Sequence, residues 1–379
     1  MRNLITNGLV YMSDIHSFRP MDILTVGNKI VKIAPRGEID SCDACLIDAC
    51  GNLVVSGFID VHTHGIAGYD FLFADSDALK KMSKAYLAHG VTCVMPTLAS
   101  GRFEDMCSAI KRINKARFEN QASFCGVHLE GRYLSCEKRG AHAKELLAPL
   151  LAEELCELFD GFSGSIHISA AYELDTDRSF LKKALELGAT LSLGHTSASF
   201  AEAVACENAG VSAYTHLYNA MPSLHHREGG PIAACLMGNA YAELICDGIH
   251  ISPEVVALTQ KIKGDKLVLI SDSMEATDCA DGEYSIAGNP VTVKNKIART
   301  QDGALAGSTL TLDIALKNLM RFCNIPIEKA IISLTEAPAK EVGIFDEYGS
   351  LDIGKRADML FLNEISLAIE KIILGGRIQ

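Results

Sequence analysis

Hydrophobic and polar positions divide the chain into three regimes. From residue 1 to about residue 52, short apolar stretches alternate with turn signals, as in "MDILTVGNKIVKIAP", which is the pattern of β-hairpins. From there to about residue 340, apolar strand-like runs alternate with segments of helical spacing. The runs are "NLVVSGFIDVHTHG", "VTCVMPTLA", "FCGVHLEG", "SGSIHISAA", "ATLSLGHTS", "VSAYTHLYNA", "AELICDGIH" and "KLVLISDSM". Segments such as "DSDALKKMSKAYLAHG" and "SFAEAVACENAG" lie between them and end in Gly, a frequent helix stop. Eight repeated βα units predict an α/β fold of the (β/α)8 barrel type. The last stretch, "YGSLDIGKRADMLFLNEISLAIEKIILGGRIQ", returns to short strands and is expected to complete the N-terminal module. The predicted organisation is a β-sandwich in two pieces, 1–52 and 344–379, flanking a catalytic barrel over 53–343.

Length and composition fit that reading. The 379 residues, 48% of them hydrophobic, are enough for a large core. The formal net charge of -12, with no Lys/Arg-rich run, argues against nucleic acid or an anionic membrane as partner. Polar residues interrupt "MRNLITNGLVYMSDIHSF", so it does not read as a signal peptide, and no apolar run is long enough to span a bilayer. Thirteen scattered cysteines then read as thiols of a cytoplasmic protein rather than a disulfide framework. Cys42 and Cys45 form a C-x-x-C, but a zinc ribbon needs a second such pair.

Candidate chemistry gathers where the predicted strands end. Successive side chains on a strand point to opposite faces, so His62 and His64 in "GFIDVHTHG" share one face and Thr63 takes the other. Glu130 ends the third run, His195 the fifth, His216 the sixth, His250 the seventh and Asp272 the eighth. The C-terminal strand ends form the active face of such barrels, and a His/carboxylate set suits Zn²⁺ or a similar divalent ion. Asp272 is a candidate general base. His128 either shares the Glu130 face or acts as a partner behind the ligands.

The segments "GFIDVHTHG", "GVHLEGRYL", "KRGAHAKE", "LSLGHTSAS", "THLYNAMPSLHHREGG", "DGIHISPE", "LISDSME" and "ALAGSTLTLD" occur in the order seen in N-acetylglucosamine-6-phosphate deacetylases. The chain resembles that branch of the amidohydrolase superfamily over nearly its whole length. The resemblance implies a divalent metal, Zn²⁺ first, held by Glu130, His195 and His216. A second ion would sit at His62 and His64 with Glu130 shared, so one or two ions are implied per chain. It implies Asp272 as catalytic acid/base and His142, with Ala141 beside it, facing the acetamide carbonyl. Asn219, Ala220, Arg227 and His250 match residues that hold the sugar phosphate, and Leu305, Ala306, Gly307 and Ser308 match a loop closing over the sugar. It also implies a homodimer pairing near "LHHRE". The expected reaction is removal of the acetyl group from a small sugar phosphate, N-acetyl-D-glucosamine 6-phosphate, in amino-sugar catabolism.

The chain departs from the family pattern at Arg132 (usually Pro), at Ala143 and Lys144 (usually Asn-Pro), in "HHREGG" and in "SDSME", which introduces Glu275. These departures leave the sugar epimer open, with N-acetylgalactosamine 6-phosphate the nearest alternative. Two other classes are a cyclic amidohydrolase and a metal-free scaffold. The first needs a bridging Lys that "SIHISAAYELD" lacks, and the second is at odds with a full ligand set.

Overall fold

The computed structural model describes residues 2–379. Eight parallel strands form the barrel in sequence order: Phe58–Thr63, Val91–Ala99, Gly126–Glu130, Ser165–Ala170, Thr190–Leu193, Ala213–Tyr214, Tyr241–Ile245 and Leu267–Ile270. Each pairs with the next, from Phe58 beside Val91 to Ala242 beside Leu267. The last returns to the first, where the Asp272 N–H donates to the His62 carbonyl at 2.9 Å. Parallel strands covered by helices are buried on both faces and so read as apolar runs. Val91–Ala99 shows this fully, with all of its residues buried.

"NLVVSGFIDVHTHG" is two strands rather than one. Leu53–Ser56 belongs to the small sheet, and Phe58–Thr63 opens the barrel. The break falls at Gly57, where a Cβ would lie 2.0 Å from Thr92 Oγ1. In "VSAYTHLYNA" only Ala213–Tyr214 is strand, because the backbone then turns through positive φ at His216, Tyr218 and Ala220.

The small sheet joins both ends of the chain. Its N-terminal strands are Arg2–Met12, Ser17–Val26, Lys29–Pro35, Cys45–Asp48 and Leu53–Ser56. Met359–Leu362, Ile369–Leu374 and Arg377–Ile378 come from the other end. Met359–Leu362 lies antiparallel to Leu53–Ser56, which stitches the two segments together. This β domain has its own core, including Ile5, Val10, Ile23, Phe361 and Ile373.

A third sheet is a separate insertion after the last barrel strand. Gly282–Ile286, Asn289–Lys294 and Ile297–Thr300 form an antiparallel meander. Its buried Ile286, Val291, Val293 and Ala298 pack with Met274, Ala276 and Ala306, and Ala141 packs against this cluster. Their alternation with polar neighbours was visible in "VTVKNKIART", as expected for a sheet with one wet face.

The barrel mouth is packed backbone to backbone beside Glu130. A Cβ on Gly131 would lie 2.4 Å from Ser100 N and 2.6 Å from the Ala99 carbonyl carbon. Neither atom can rotate away. Gly131→Ala is therefore expected to destabilise the chain by about 1–3 kcal/mol, the usual cost of overpacking. Thermal unfolding checks this, and an unchanged midpoint would show that the turn relaxes freely.

Candidate active site

The site is assembled at the C-terminal ends of the barrel strands. His195, His216 and Asp272 all adopt positive φ, of 48°, 31° and 46°. This conformation is uncommon for non-glycine residues and is concentrated where surrounding structure imposes it. Here it turns the chain inward at once, so each side chain enters the barrel mouth instead of following its strand.

Glu130 is 2% exposed and faces histidines with both oxygens. Oε1 lies 3.1 Å from His195 Nε2 and 2.9 Å from His216 Nε2, and those two nitrogens are 3.0 Å apart. Oε2 lies 3.1 Å from His64 Nε2 and 3.4 Å from His62 Nε2. Asp272 Oδ1 completes the second group, 3.2 Å from His64 Nε2 and 3.6 Å from His62 Nε2. The predicted sharing of a face by His62 and His64 is realised. Thr63 points the other way, to Tyr86 and Ser273.

These two groups fit a metal, as hydrogen-bond accounting shows. His195 Nδ1 donates to Lys138 O at 2.8 Å, which leaves Nε2 to face Glu130. His62 Nδ1 donates to Glu243 Oε2 at 2.9 Å, and His62 Nε2 has no hydrogen-bond partner. Lone pairs converge on carboxylate oxygens, at separations that ligands take around a single ion. The electrostatics agree. Burial pushes His64 down, but Asp272 and Glu130 raise its pKa to about 9, so the pair of carboxylates calls for positive charge here. Glu130 is pushed up by burial, yet the His62 charge and the adjoining His195 and His216 imidazoles hold it well below the ordinary carboxylate range. For Asp272, burial is likewise outweighed by the hydrogen bond with His64 and the His62 charge, so it is an ionised base.

His128 is not part of either group. Its nitrogens are taken by Val61 O at 3.0 Å and Ser169 Oγ at 2.7 Å, behind the ligands. Burial and the neighbouring His62 and His167 push its pKa well below 6.5, so its ring is neutral.

His142 is held by a residue that sequence reasoning missed. Ser100 Oγ accepts from Arg132 N–H at 2.9 Å and is left to donate to His142 Nδ1, also at 2.9 Å. Ser100 N–H donates to the same nitrogen at 3.2 Å. Nδ1 is thus the acceptor, and Nε2 carries the proton, 3.8 Å from Glu130 Oε2. Burial and the adjacent His195 lower the His142 pKa to about 3, so the ring is a neutral donor throughout the physiological range. No pattern in the sequence marks Ser100.

A pocket of about 260 Å³ opens over these groups. Of the remaining predicted residues, Ala141, Asn219, Ala220, His250, Leu305 and Gly307 line it. His250 Nδ1 lies 2.7 Å from Asp247 Oδ2, which leaves Nε2 available. Ile286 and Ala304, from the inserted sheet and the loop after it, add walls that were not anticipated. Three residues are elsewhere. Ala306 packs in the core of the insertion, and Ser308 is spent on backbone, its N–H on Asp272 O at 2.7 Å and its Oγ on Ser271 O at 2.6 Å. Arg227 lies on the exposed segment 223–228 with its Nη1 2.8 Å from His226 Nε2, away from the pocket wall.

The departures from the family pattern also turn away from the pocket. Arg132 pairs with Glu154 at 3.2 Å and stacks on Phe103, while Glu275 holds Ser285 N–H and Oγ in the inserted sheet.

The arrangement of a shared carboxylate, four imidazoles, an ionised Asp and a neutral His donor suits metal-assisted hydrolysis of an unactivated bond. Comparison with known proteins agrees. The amidohydrolase family matches residues 53–378. The N-acetylglucosamine-6-phosphate deacetylase of Vibrio furnissii is 32% identical over 330 residues, covering 86% of this chain and 82% of that protein. The N-acetylgalactosamine-6-phosphate deacetylase of Escherichia coli O157:H7 is also 32% identical, covering 86% and 87%. A Mycobacterium smegmatis N-acetyl-D-glucosamine-6-phosphate deacetylase variant, solved in complex with N-acetyl-D-glucosamine-6-phosphate, superposes with a TM-score of 0.90. It is 26% identical, covering 100% of this chain and 99% of its own. With the barrel, its β domain and the histidine–carboxylate cluster in place, the chain belongs to the amidohydrolase family, on the branch of the N-acetylglucosamine-6-phosphate deacetylases.

Proposed function

We propose that this chain hydrolyses N-acetyl-D-glucosamine 6-phosphate to D-glucosamine 6-phosphate and acetate, in cytoplasmic amino-sugar catabolism. The observation that carries this reading is the placement of Asp272, His142 and the Glu130–His195–His216 group around one pocket. Glu130, His195 and His216 would hold the required ion, Zn²⁺ best suiting the donors, and His62 and His64 with Glu130 a second, weaker one. When bound, such an ion makes water acidic enough to act as a nucleophile at neutral pH and stabilises negative charge on oxygen.

The remaining steps belong to the chain. Asp272, ionised in the resting site, accepts a proton as water attacks the acetamide carbonyl and returns it to the departing amine. His142 Nε2–H, oriented by Ser100, donates to the oxygen on which charge develops. Asn219, Ala220 and His250 line the part of the pocket assigned to the sugar phosphate. Arg227, on the exposed 223–228 segment away from the pocket wall, would be brought to that phosphate by a homodimer that packs this segment over the pocket mouth.

An acetate-release assay on the gluco and galacto sugars, each with and without 6-phosphate, tests the substrate. The phosphorylated gluco sugar is expected to be turned over fastest. Preference for the galacto epimer would reassign the substrate.

Asp272→Asn is expected to keep fold and KM while kcat falls by on the order of 10²–10⁴, the usual contribution of acid/base catalysis. Near-native kcat would remove Asp272 from the mechanism. Arg227→Ala should raise KM for the phosphorylated sugar roughly ten- to a hundred-fold, as for loss of a charge-assisted bidentate contact. Equal losses on phosphorylated and unphosphorylated sugars would show that Arg227 does not read the phosphate.

The two ligand groups should also separate in a variant test. His62→Gln with His64→Asn is expected to lose the ion most easily removed by chelator while retaining measurable deacetylation, whereas His195→Ala abolishes turnover. If both variants are equally inactive, the two groups form one obligate centre.

A further inference from the structure

Behind His62, on the side away from the pocket, lies a second group of titratable side chains that deacetylation does not use. His167 projects from Ser165–Ala170 and Glu243 from Tyr241–Ile245, both inside the barrel. Glu341 enters from the last residue of the short helix Glu336–Glu341, which packs against the first and last barrel strands. The three are 0%, 0% and 2% exposed. One ligand atom from each lies within 4.8 Å of the others.

Polar atoms of this cluster are left unsatisfied. His167 Nδ1 lies 2.7 Å from Thr190 Oγ1, whose hydroxyl is directed to Ile166 O at 3.4 Å. With Nδ1–H donating to Thr190 Oγ1, Nε2 is the nitrogen left to act as a ligand. Nε2 lies 3.4 Å from Glu243 Oε1. His167 Nε2, Glu243 Oε1 and both Glu341 oxygens have no hydrogen-bond partner. A buried carboxylate without a counter-charge is strongly unfavourable. The position of Glu341 at a helix C-terminus adds to this, because the helix dipole is negative there. A single proton placed in the cluster satisfies at most two of these four atoms; a cation facing them all satisfies the set.

We propose that His167, Glu243 and Glu341 form a structural divalent-cation site in the barrel interior, separate from the active-site ligands. One imidazole and two carboxylates select Zn²⁺ or a similar ion with mixed nitrogen and oxygen preference. The ligands are closed off from solvent, so the ion is taken up as the barrel folds and does not exchange in the native state. It also fixes Glu243, whose other oxygen receives His62 Nδ1–H and so orients that ring.

The test counts EDTA-resistant metal after the active site has lost its shared carboxylate and one imidazole. The variant Glu130→Gln with His195→Ala is produced in zinc-supplemented medium, dialysed exhaustively against EDTA and analysed for Zn, Mn and Fe. It is expected to keep about one equivalent per chain, released to a chromogenic chelator only when guanidinium unfolds the protein. Adding Glu341→Gln, or separately His167→Asn, should remove that equivalent while circular dichroism shows an intact fold. In the native chain, Glu341→Gln alone should lower EDTA-resistant metal by the same amount. A folded, EDTA-treated background that holds no metal would overturn the proposal and assign the four atoms to protons or water. An equivalent that survives both added substitutions would overturn it as well.

Discussion

The Glu130 carboxylate is the constraint on which the rest of the site depends. Each oxygen faces two histidine nitrogens, with His195 and His216 on one side and His62 and His64 on the other. Three strand ends must therefore deliver four imidazoles to one buried carboxylate, at 2.9–3.4 Å. The barrel supplies the approach, and positive φ at His195, His216 and Asp272 supplies the turn inward. Local strain of this kind persists only where surrounding packing imposes it. Here the Gly131 turn against the 99–100 backbone and the Asp272 N–H bond to His62 O supply that packing.

Electrostatics divide the labour among groups that look alike in sequence. His142 and His64 are both buried histidines at the pocket, yet one is lowered to about 3 and the other raised to about 9. The difference lies in their neighbours. His64 faces two carboxylates, whereas His142 receives hydrogen bonds at Nδ1 from Ser100 and stands beside His195. The first environment suits a site that gathers positive charge, and the second suits a neutral donor aimed at an oxygen.

Much of this was legible in the chain. Apolar runs located the barrel strands because parallel strands are buried on both faces, and the alternation in "DVHTH" placed two imidazoles on one face. Legibility ended where tertiary contacts decide. Nothing local marks the break at Gly57, which is set by Thr92 across the strand pair. Ser100 has no motif, since its partners Arg132 and His142 are distant in sequence. The inserted sheet alternates buried and exposed residues, but nothing local separates it from the barrel segment that surrounds it. His167 and Glu243 were visible as polar residues inside apolar strands, yet their meeting with Glu341 follows only from barrel closure.

The proposed hydrolysis depends on a cation held by Glu130, His195 and His216. Its most direct test is acetate release from N-acetyl-D-glucosamine 6-phosphate by the EDTA-dialysed native chain, titrated with Zn²⁺. The expected result is a folded but inactive chain whose turnover rises with added ion and levels off once the exchangeable site is filled. Full turnover by the dialysed chain, with no exchangeable metal detected, would contradict it.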